Sequence, residues 1–274
     1  MKKSFILCFT FFSSLFFIAC ESSEGNDASA AKGKMMIDLN SDVSYASKGS
    51  KARAMDLTPY KNVANYTVEL KDASGNVLQS KLYSEMELTQ EVTPGTYTVR
   101  AYYGENVNAG YDKLYMEGAQ TITVVKGDNK TVSFACTPAN VKVNLKYSDD
   151  FYTFYSDCTV GLKTQYLTEA FEMSQADVDK DLFLKAVGNE NLSLTFALKD
   201  KNGITVTPAN FGAQTVTIKP RDFLTITVKP KLIDIEGGKI SGITVTIDNG
   251  VQEENIDVTL PDEFMPGEDT TVNN

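Results

Sequence analysis

Three aspartates at alternate positions are the first candidate for a metal site. Asp177, Asp179 and Asp181 have the spacing of the first three ligands of a calcium-binding loop. Such a loop needs glycine at its sixth position and glutamate at its twelfth, where this chain has Leu182 and Gly188. An EF-hand is therefore excluded, and we interpret the three aspartates as a solvated acidic turn. No metal or cofactor is expected.

Composition excludes several kinds of active site. The chain has no histidine, which removes Ser-His-Asp triads, histidine-ligated zinc and imidazole acid-base catalysis. No facing pair of carboxylates is indicated, as a glycosidase would require. Tryptophan is also absent, so a bound sugar would have to stack on tyrosine or phenylalanine rings. We predict no catalytic residues and a protein that is not an enzyme.

Two cysteines in the body of the chain could form a disulfide in an exported protein. Cys136 precedes a predicted strand from Val141 to Tyr147, and Cys158 follows it. The two should therefore lie near opposite ends of that strand, about 20 Å apart at 3.3 Å per residue, which is too far for a disulfide. Both cysteines are in phase with apolar neighbours. We predict that Cys136 and Cys158 are buried thiols and that no disulfide forms.

The beginning of the chain predicts export and lipidation at Cys20. Lys2 and Lys3 precede an apolar run of about 14 residues, shorter than the roughly 20 that cross a membrane, and Ala19 supplies the small residue before a cleavage point. Cys20 would become the first residue of the mature protein, and its acyl chains would anchor the protein to the outer membrane. The usual motif has Leu, Val or Ile where this chain has Phe17. An ordinary signal peptide with a coincidental cysteine is the alternative.

Net charge narrows the range of partners. The chain carries 26 basic and 36 acidic side chains, a net charge of −10, and removing the two lysines of the signal takes it to −12. Phosphate binding needs a basic patch, and this sequence contains no cluster of basic residues. Nucleic acid is therefore not expected as a partner.

The rest of the chain has the pattern of short β-strands. Apolar and polar residues alternate over residues 66–70, 97–101 and 121–124. Turn-forming sequences separate such stretches, at residues 74–76, 94–95, 127–129, 201–203 and 248–250. Short strands at this spacing are typical of an all-β fold built from antiparallel β-sandwiches.

An internal repeat indicates two copies of one sandwich. Residues 118–124, GAQTITV, recur as residues 212–218, GAQTVTI, at an offset of 212 − 118 = 94. The likeness continues from residues 131–134 to 225–228, and an upstream strand at residues 35–39 resembles residues 141–145.

The repeat predicts two tandem sandwich domains of transthyretin-like or Ig-like type. We place the signal peptide at 1–19, a disordered tether at 20–32, the domains at 33–138 and 139–261, and a disordered acidic tail at 262–274. Residues 137–140 would form a short, stiff linker. The expected core residues are Tyr97, Val99, Ile122, Val124, Val132 and Phe134 in the first domain and Leu192, Leu194, Phe196, Val216, Ile218, Ile226 and Val228 in the second.

Several segments together resemble a known family. Residues 92–99, VTPGTYTV, look like the Pro-Gly-x-Tyr strand start of transthyretin-like sandwiches. The lipoprotein start, Arg53-Ala54, residues 139–143 and residues 242–261 resemble Bacteroides-type lipoproteins of the domain of unknown function 4493 family (DUF4493). The layout is also similar to two-domain transthyretin-like fimbrial anchor and accessory lipoproteins. That resemblance implies assembly by strand donation, in which a sandwich edge accepts an extra strand.

Two short motifs gain interest from this resemblance. Lys51-Ala52-Arg53 looks like the loop cleavage point of maturing fimbrial subunits, although an ordinary basic loop is the favoured interpretation. Asp269-Thr270-Thr271 resembles a short O-glycosylation signal of such bacteria, in the predicted tail.

Two classes of function follow. The first is a membrane-anchored, non-enzymatic lipoprotein of the cell envelope with a binding or assembly role, as a fimbrial accessory or adhesin. Its protein or glycan partner would bind at an edge strand or at the distal loops, and the terminal strands at residues 243–247 and 256–260 are the first candidates for exchange. The alternative is a surface glycan-binding lipoprotein of a nutrient-uptake system. The sequence leaves the surface and periplasmic faces of the membrane both open.

Overall fold

The structure, a computed structural model, describes residues 32–45, 55–206, 214–234, 239–248 and 253–259. The predicted signal peptide with Cys20, most of the tether, Lys51-Ala52-Arg53 and the acidic tail with Asp269-Thr270-Thr271 lie outside the described residues. No helix in the described ranges has the length and hydropathy needed to cross a membrane.

The described chain is all-β, as the sequence predicted. The first half of the chain contains β1 (Gly33–Ser41), α1 (Thr58–Lys61), β2 (Thr67–Lys71), β3 (Val77–Leu82), β4 (Thr89–Val92), β5 (Gly95–Gly104), β6 (Ala109–Tyr111), β7 (Tyr115–Val124) and β8 (Asn129–Pro138). The second half contains β9 (Asn140–Tyr147), α2 (Phe151–Phe154), β10 (Tyr155–Lys163), β11 (Phe171–Met173), β12 (Leu182–Lys185), β13 (Glu190–Asp200), β14 (Thr205–Val206), β15 (Gln214–Ile218), β16 (Phe223–Asp234), β17 (Lys239–Asp248) and β18 (Glu253–Thr259).

A seven-stranded sheet in the order β3-β2-β5-β7-β8-β1-β4 encloses the first hydrophobic cluster. Along β1 the buried Met35, Ile37 and Leu39 alternate with exposed residues, because successive side chains of a strand point to opposite faces. β8 pairs with β1 along most of its length and with β7 only at its end, through Glu117–Thr137 and Met116–Pro138. The sheet therefore turns over at β8 and covers both sides of one core.

The second half of the chain has two sheets around a second cluster. One has the order β11-β10-β13-β14, with β15 also paired to β13, and the other has the order β18-β17-β16-β9-β12-β6. The pairing repeats that of the first half: β2-β5-β7 corresponds to β10-β13-β15, and the β1–β8 pair corresponds to β9–β16. The sequence repeat aligned β1 with β9, β7 with β15 and β8 with β16.

Two of the described strand pairs differ from the antiparallel arrangement expected. β1 pairs in parallel with β8, and β9 pairs in parallel with β16. Alternation of apolar and polar residues shows which face of a strand is buried but does not show the direction of its neighbour. The first and last strands of each half lie side by side and run the same way.

Most of the expected core residues are buried. All seven predicted for the second half are buried in its cluster, and Tyr97, Val99, Val124 and Val132 are buried in the first. Ile122 and Phe134 are wrong as fully buried residues, since both only pack against the cluster from its margin. The Phe134 ring lies over Gly118, which has no side chain to cover it.

The two halves are joined more closely than by the expected linker. β8 ends at Pro138 and β9 begins at Asn140, so Ala139 alone separates them and the four-residue linker is wrong. β6, which belongs to the first half of the chain, pairs with β12 of the second. Phe183 of β12 is in turn buried in the first hydrophobic cluster.

Candidate binding surfaces

The three regularly spaced aspartates have different environments. Asp177 accepts a hydrogen bond from the backbone N–H of Ser174 and pairs with Lys180, so it caps a short 3₁₀ helix. Asp179 is exposed. Asp181 is only 2% exposed, and the interpretation of it as part of a solvated turn is therefore wrong. Within the described ranges no group of three or more His, Cys, Asp or Glu side chains could hold a metal ion.

Asp181 forms a buried ion pair where the two halves meet. Its Oδ2 lies 2.7 Å from Lys142 Nζ, and its Oδ1 accepts a hydrogen bond of 2.7 Å from Asn144 Nδ2. Lys142 Nζ also lies 4.7 Å from the centroid of the Phe223 ring. Burial, and secondarily the charge of Asp181, raises the pKa of Tyr45 well above its ordinary value, so that phenol stays neutral. Lys142, Asn144 and Asp181 all belong to the second half of the chain. The cluster is joined to the first half by the N–H of Asp112, which donates a 3.0 Å hydrogen bond to the backbone oxygen of Asp181.

A second polar contact spans the same junction. Arg221 Nη2 lies 2.9 Å from Asp42 Oδ2 and also donates to the backbone oxygen of Ser44 at 3.1 Å. The hydrogen bonds from Ser44, with the nearby Arg221, keep the pKa of Asp42 below its ordinary value. Because Asp42 follows β1 and Arg221 precedes β16, this contact ties together segments far apart in the chain.

The two cysteines of the described ranges lie in different hydrophobic clusters. Cys136 and Cys158 are both free and fully buried, Cys136 in the first cluster and Cys158 in the second. The Cys136 thiol donates a 3.3 Å hydrogen bond to the backbone oxygen of Ala101. Burial raises the pKa of Cys136 to about 12 and raises that of Cys158 as well.

We expect both thiols to be unreactive in the folded protein. The thiolate is the nucleophile, and burial suppresses its formation as well as access to it. At pH 8, iodoacetamide should leave Cys136 and Cys158 unmodified in the native chain and label both in urea, as read by peptide mass spectrometry. Labelling of either residue at the same rate with and without urea would contradict the buried environment.

The first sheet has two open edges that flank a groove. β3 and β4 end the strand order, and in the described chain each pairs with one strand only. A cavity of ≈ 470 Å³ lies between them. The buried Leu70, Val92 and Tyr97 contribute to its lining, together with the half-buried Gln79 and Gln90. This groove, the β3–β4 groove, has apolar side chains at its base and strand backbone on both sides.

Exposed apolar side chains are concentrated on or next to the two edge strands and on β1, and one of them, Leu78, lines the groove. Five of the eight large hydrophobic residues that are exposed in the described chain lie in β1, in β3 or just before β4. They are Met36, Val77, Leu78, Leu82 and Leu88. Single exposed apolar residues are ordinary on protein surfaces, whereas a concentration beside open strand edges is typical of an interaction surface.

The register of β4 shows which of its backbone groups face outward. Lys34 of β1 donates its N–H to Asp128 on the β8 side, at 2.7 Å, so Lys34 does not bond its opposite residue, Glu91. Ile37, three residues later, donates its N–H to the backbone oxygen of Leu88 on the β4 side, at 2.8 Å. In an antiparallel pair bonded and non-bonded positions alternate, and the N–H and C=O of Glu91 therefore face the free edge.

The terminal strands also occupy an edge. β18 ends the six-stranded sheet and pairs with β17 alone, with Ile256 opposite Val245 and Val258 opposite Ile243. Ile243, Val245 and Ile247 of β17 are buried. The predicted exchange of β18 stays a prediction. The sequence gives no sign of the β3–β4 groove, because β3 shows no apolar alternation.

Comparisons with known proteins place the chain in a family. No curated protein matches it. A fimbrial assembly protein from Parabacteroides distasonis is similar at 9% identity and a TM-score of 0.41, over 82% of this chain and 99% of that one. The fimbrial anchor protein Mfa2 from Porphyromonas gingivalis is similar at 10% identity and a TM-score of 0.40, over 80% and 98%. The sequence model of one family matches residues 34–262, and the chain therefore belongs to the family described as domain of unknown function (DUF4493), as its motifs predicted.

Proposed function

We propose that this chain is a non-enzymatic lipoprotein of the cell envelope that binds or assembles with a partner protein at the β3–β4 groove. Its anchor would be the lipidated Cys20. Residues 33–138 and 139–261 would be its two sandwich domains, of which the first carries the groove. Support comes from the export pattern, the absence of histidine and the open edges of the first sheet.

The open edge of β4 is the observation that carries the proposal. A strand that has a neighbour on one side only presents a row of unpaired N–H and C=O groups, which an extended segment of another chain can pair with. Alternate side chains of that segment would then face Leu70, Val92 and Tyr97. Removing exposed apolar area such as that of Leu78 and Leu88 from water contributes roughly 25 cal/mol per Å².

Replacing Glu91 by proline tests strand addition without disturbing the fold. The substitution removes an N–H that faces the free edge, and leaves the hydrogen bonds between β1 and β4 in place. We expect Glu91→Pro to lose at least tenfold in affinity for the envelope protein that the native chain retains on a column. A photo-crosslinker at position 90 should join the native chain to an extended segment of that partner.

Glu91→Ala is the matched control. It removes the carboxylate, which is 3.8 Å from Lys34 in an exposed pair of little energetic weight, and keeps the backbone N–H. Glu91→Ala should retain the partner, and both variants should unfold at the native temperature. Equal retention by Glu91→Pro would exclude strand addition at β4. Loss of retention only on deleting residues 256–274 would assign the partner to β18 instead.

A further inference from the structure

A second concave site lies at the other end of β5, away from the β3–β4 groove. We propose that this cavity, the tyrosine cavity, binds one pyranose residue of a neutral saccharide. It has a volume of ≈ 400 Å³, within the range of small-molecule sites. The residues of its lining that matter here are Tyr60, Asn65, Tyr102, Tyr103, Glu105 and Asp112.

The aromatic rings of the tyrosine cavity are held in place without a ligand. Tyr103 packs edge-on against Tyr60, with ring centroids 5.1 Å apart, and lies 5.4 Å from the ring of Tyr66. Tyr66 is fully buried, and its hydroxyl donates a 2.6 Å hydrogen bond to the backbone oxygen of Tyr60. The hydroxyl of Ser41 donates to the same oxygen, also at 2.6 Å. A rigid surface of this kind loses little entropy when a ligand binds.

The rim of the cavity has unusual backbone geometry. Gly104 has φ +96°, and a side chain there would come within 2.2 Å of the backbone oxygen of Leu114, so only glycine fits. Asp112 has φ 56° although it is not a glycine, and its N–H donates to the backbone oxygen of Asp181 at 3.0 Å. Holding a residue other than glycine at a positive φ costs free energy, and such residues are concentrated at functional sites. The contact with Asp181 fixes Asp112 at the cavity.

The charges in the cavity disfavour an anionic ligand, and one of its ring faces is closed to a cation. Glu105 forms an ion pair with Lys113, and in the described chain the Asp112 carboxylate has no hydrogen bond or ion pair. Because Lys113 offsets the charge of Glu105, the Asp112 carboxylate leaves the cavity with a net negative charge, which repels an anion. One face of the Tyr102 ring is also occupied by Arg100, whose guanidinium carbon lies 4.4 Å from the centroid, so that face cannot receive a cation.

A neutral ligand rich in hydroxyl groups matches the hydrogen-bonding groups and ring faces of the cavity. Carboxylates and the Asn65 amide oxygen accept hydrogen bonds from hydroxyls, and phenol groups both donate and accept. Burial, with nearby Tyr103 and Glu105 adding to it, raises the pKa of Tyr60, so its hydroxyl keeps its proton. The C–H groups on the face of a pyranose can pack on the negative face of a tyrosine ring. The tyrosine cavity therefore offers both kinds of contact that a sugar needs.

Saturation-transfer NMR on the full chain in a sugar-free zwitterionic detergent tests the site. The probes are the methyl pyranosides of glucose, galactose, mannose and N-acetylglucosamine, with tetramethylammonium as a cationic comparison. We expect transfer to at least one sugar and none to tetramethylammonium. Asp112→Asn should weaken that binding at least tenfold, because it removes the unpaired charged acceptor while asparagine tolerates the positive φ. Tyr103→Ala should abolish it.

Asp179→Asn is the matched control, since the exposed carboxylate of Asp179 lies outside the cavity. This variant should bind sugar as the native chain does. The unfolding temperature of Asp112→Asn should equal that of the native chain, so that a loss of binding cannot come from unfolding. Absence of transfer to all four sugars would overturn the proposal. Equal affinity of Asp112→Asn and the native chain, or preferred binding of tetramethylammonium, would overturn it too.

Discussion

Replacing Asp181 by alanine is expected to lower the free energy of unfolding by about 3 to 5 kcal/mol, the usual cost of removing one partner from a buried ion pair. Lys142, whose side chain is 14% exposed, would keep its charge in a site that water barely reaches. Asn144 would also lose one of its acceptors. Urea titration of the full chain, followed by circular dichroism, measures this change.

Two variants separate the ion pair from general effects of substitution. Asp179→Ala removes an exposed carboxylate two residues earlier and should change the free energy of unfolding by less than about 0.5 kcal/mol. The double variant Lys142→Met with Asp181→Leu removes both charges and should recover most of the loss, because no unpaired charge stays buried. If Asp181→Ala were as stable as Asp179→Ala, the carboxylate of Asp181 would have to be solvated in the folded protein.

Replacing Cys20 by serine is expected to move the protein from the membrane fraction to the soluble fraction. Each buried methylene of an acyl chain contributes about 0.8 kcal/mol, so two or more chains make release from the bilayer undetectable, and none attach to serine. Fractionation of cells, together with incorporation of a fatty-acid analogue, measures both effects. Incorporation should vanish completely in Cys20→Ser.

Cys8→Ser is the matched control for the anchor. Cys8 lies within the predicted signal peptide and leaves with it, so its loss should change neither fractionation nor lipid labelling. Retention of Cys20→Ser in the membrane fraction would contradict the lipid anchor. A separate experiment, protease treatment of intact cells, shows whether the native protein lies on the surface or in the periplasm.

Periodicity and repetition predicted the parts of this fold that depend on local sequence. Alternation of side chains identified β2, β5 and β7 and most of the core residues, since a half-buried strand needs that pattern. The repeat predicted that β1, β7 and β8 correspond to β9, β15 and β16, since equivalent strands need similar residues. Both inferences depend on the order of residues within single strands.

Features that depend on distant contacts were not predictable from one sequence. Asp181 belongs to a run of alternate aspartates that suggests a solvated turn, and its partner Lys142 lies 39 positions earlier. β6 has only three residues and no alternation, and it forms only because β12 offers an edge. The tyrosine cavity likewise joins Tyr60 to Asp112, whose sequence neighbours give no sign of a shared site.

The parallel pairing within each half determines when the chain can fold. Lys34 pairs with Asn129, 95 positions later, and Lys142 pairs with Phe223, 81 positions later. Closing such long loops before any contact forms costs entropy, and folds dominated by distant pairs form in milliseconds to seconds rather than microseconds. β6 can form only when β12 is available to pair with it, so the first half of the chain completes its fold only after part of the second half is present. For the exported lipoprotein proposed above, the fold would therefore be complete only after most of the chain has crossed the membrane.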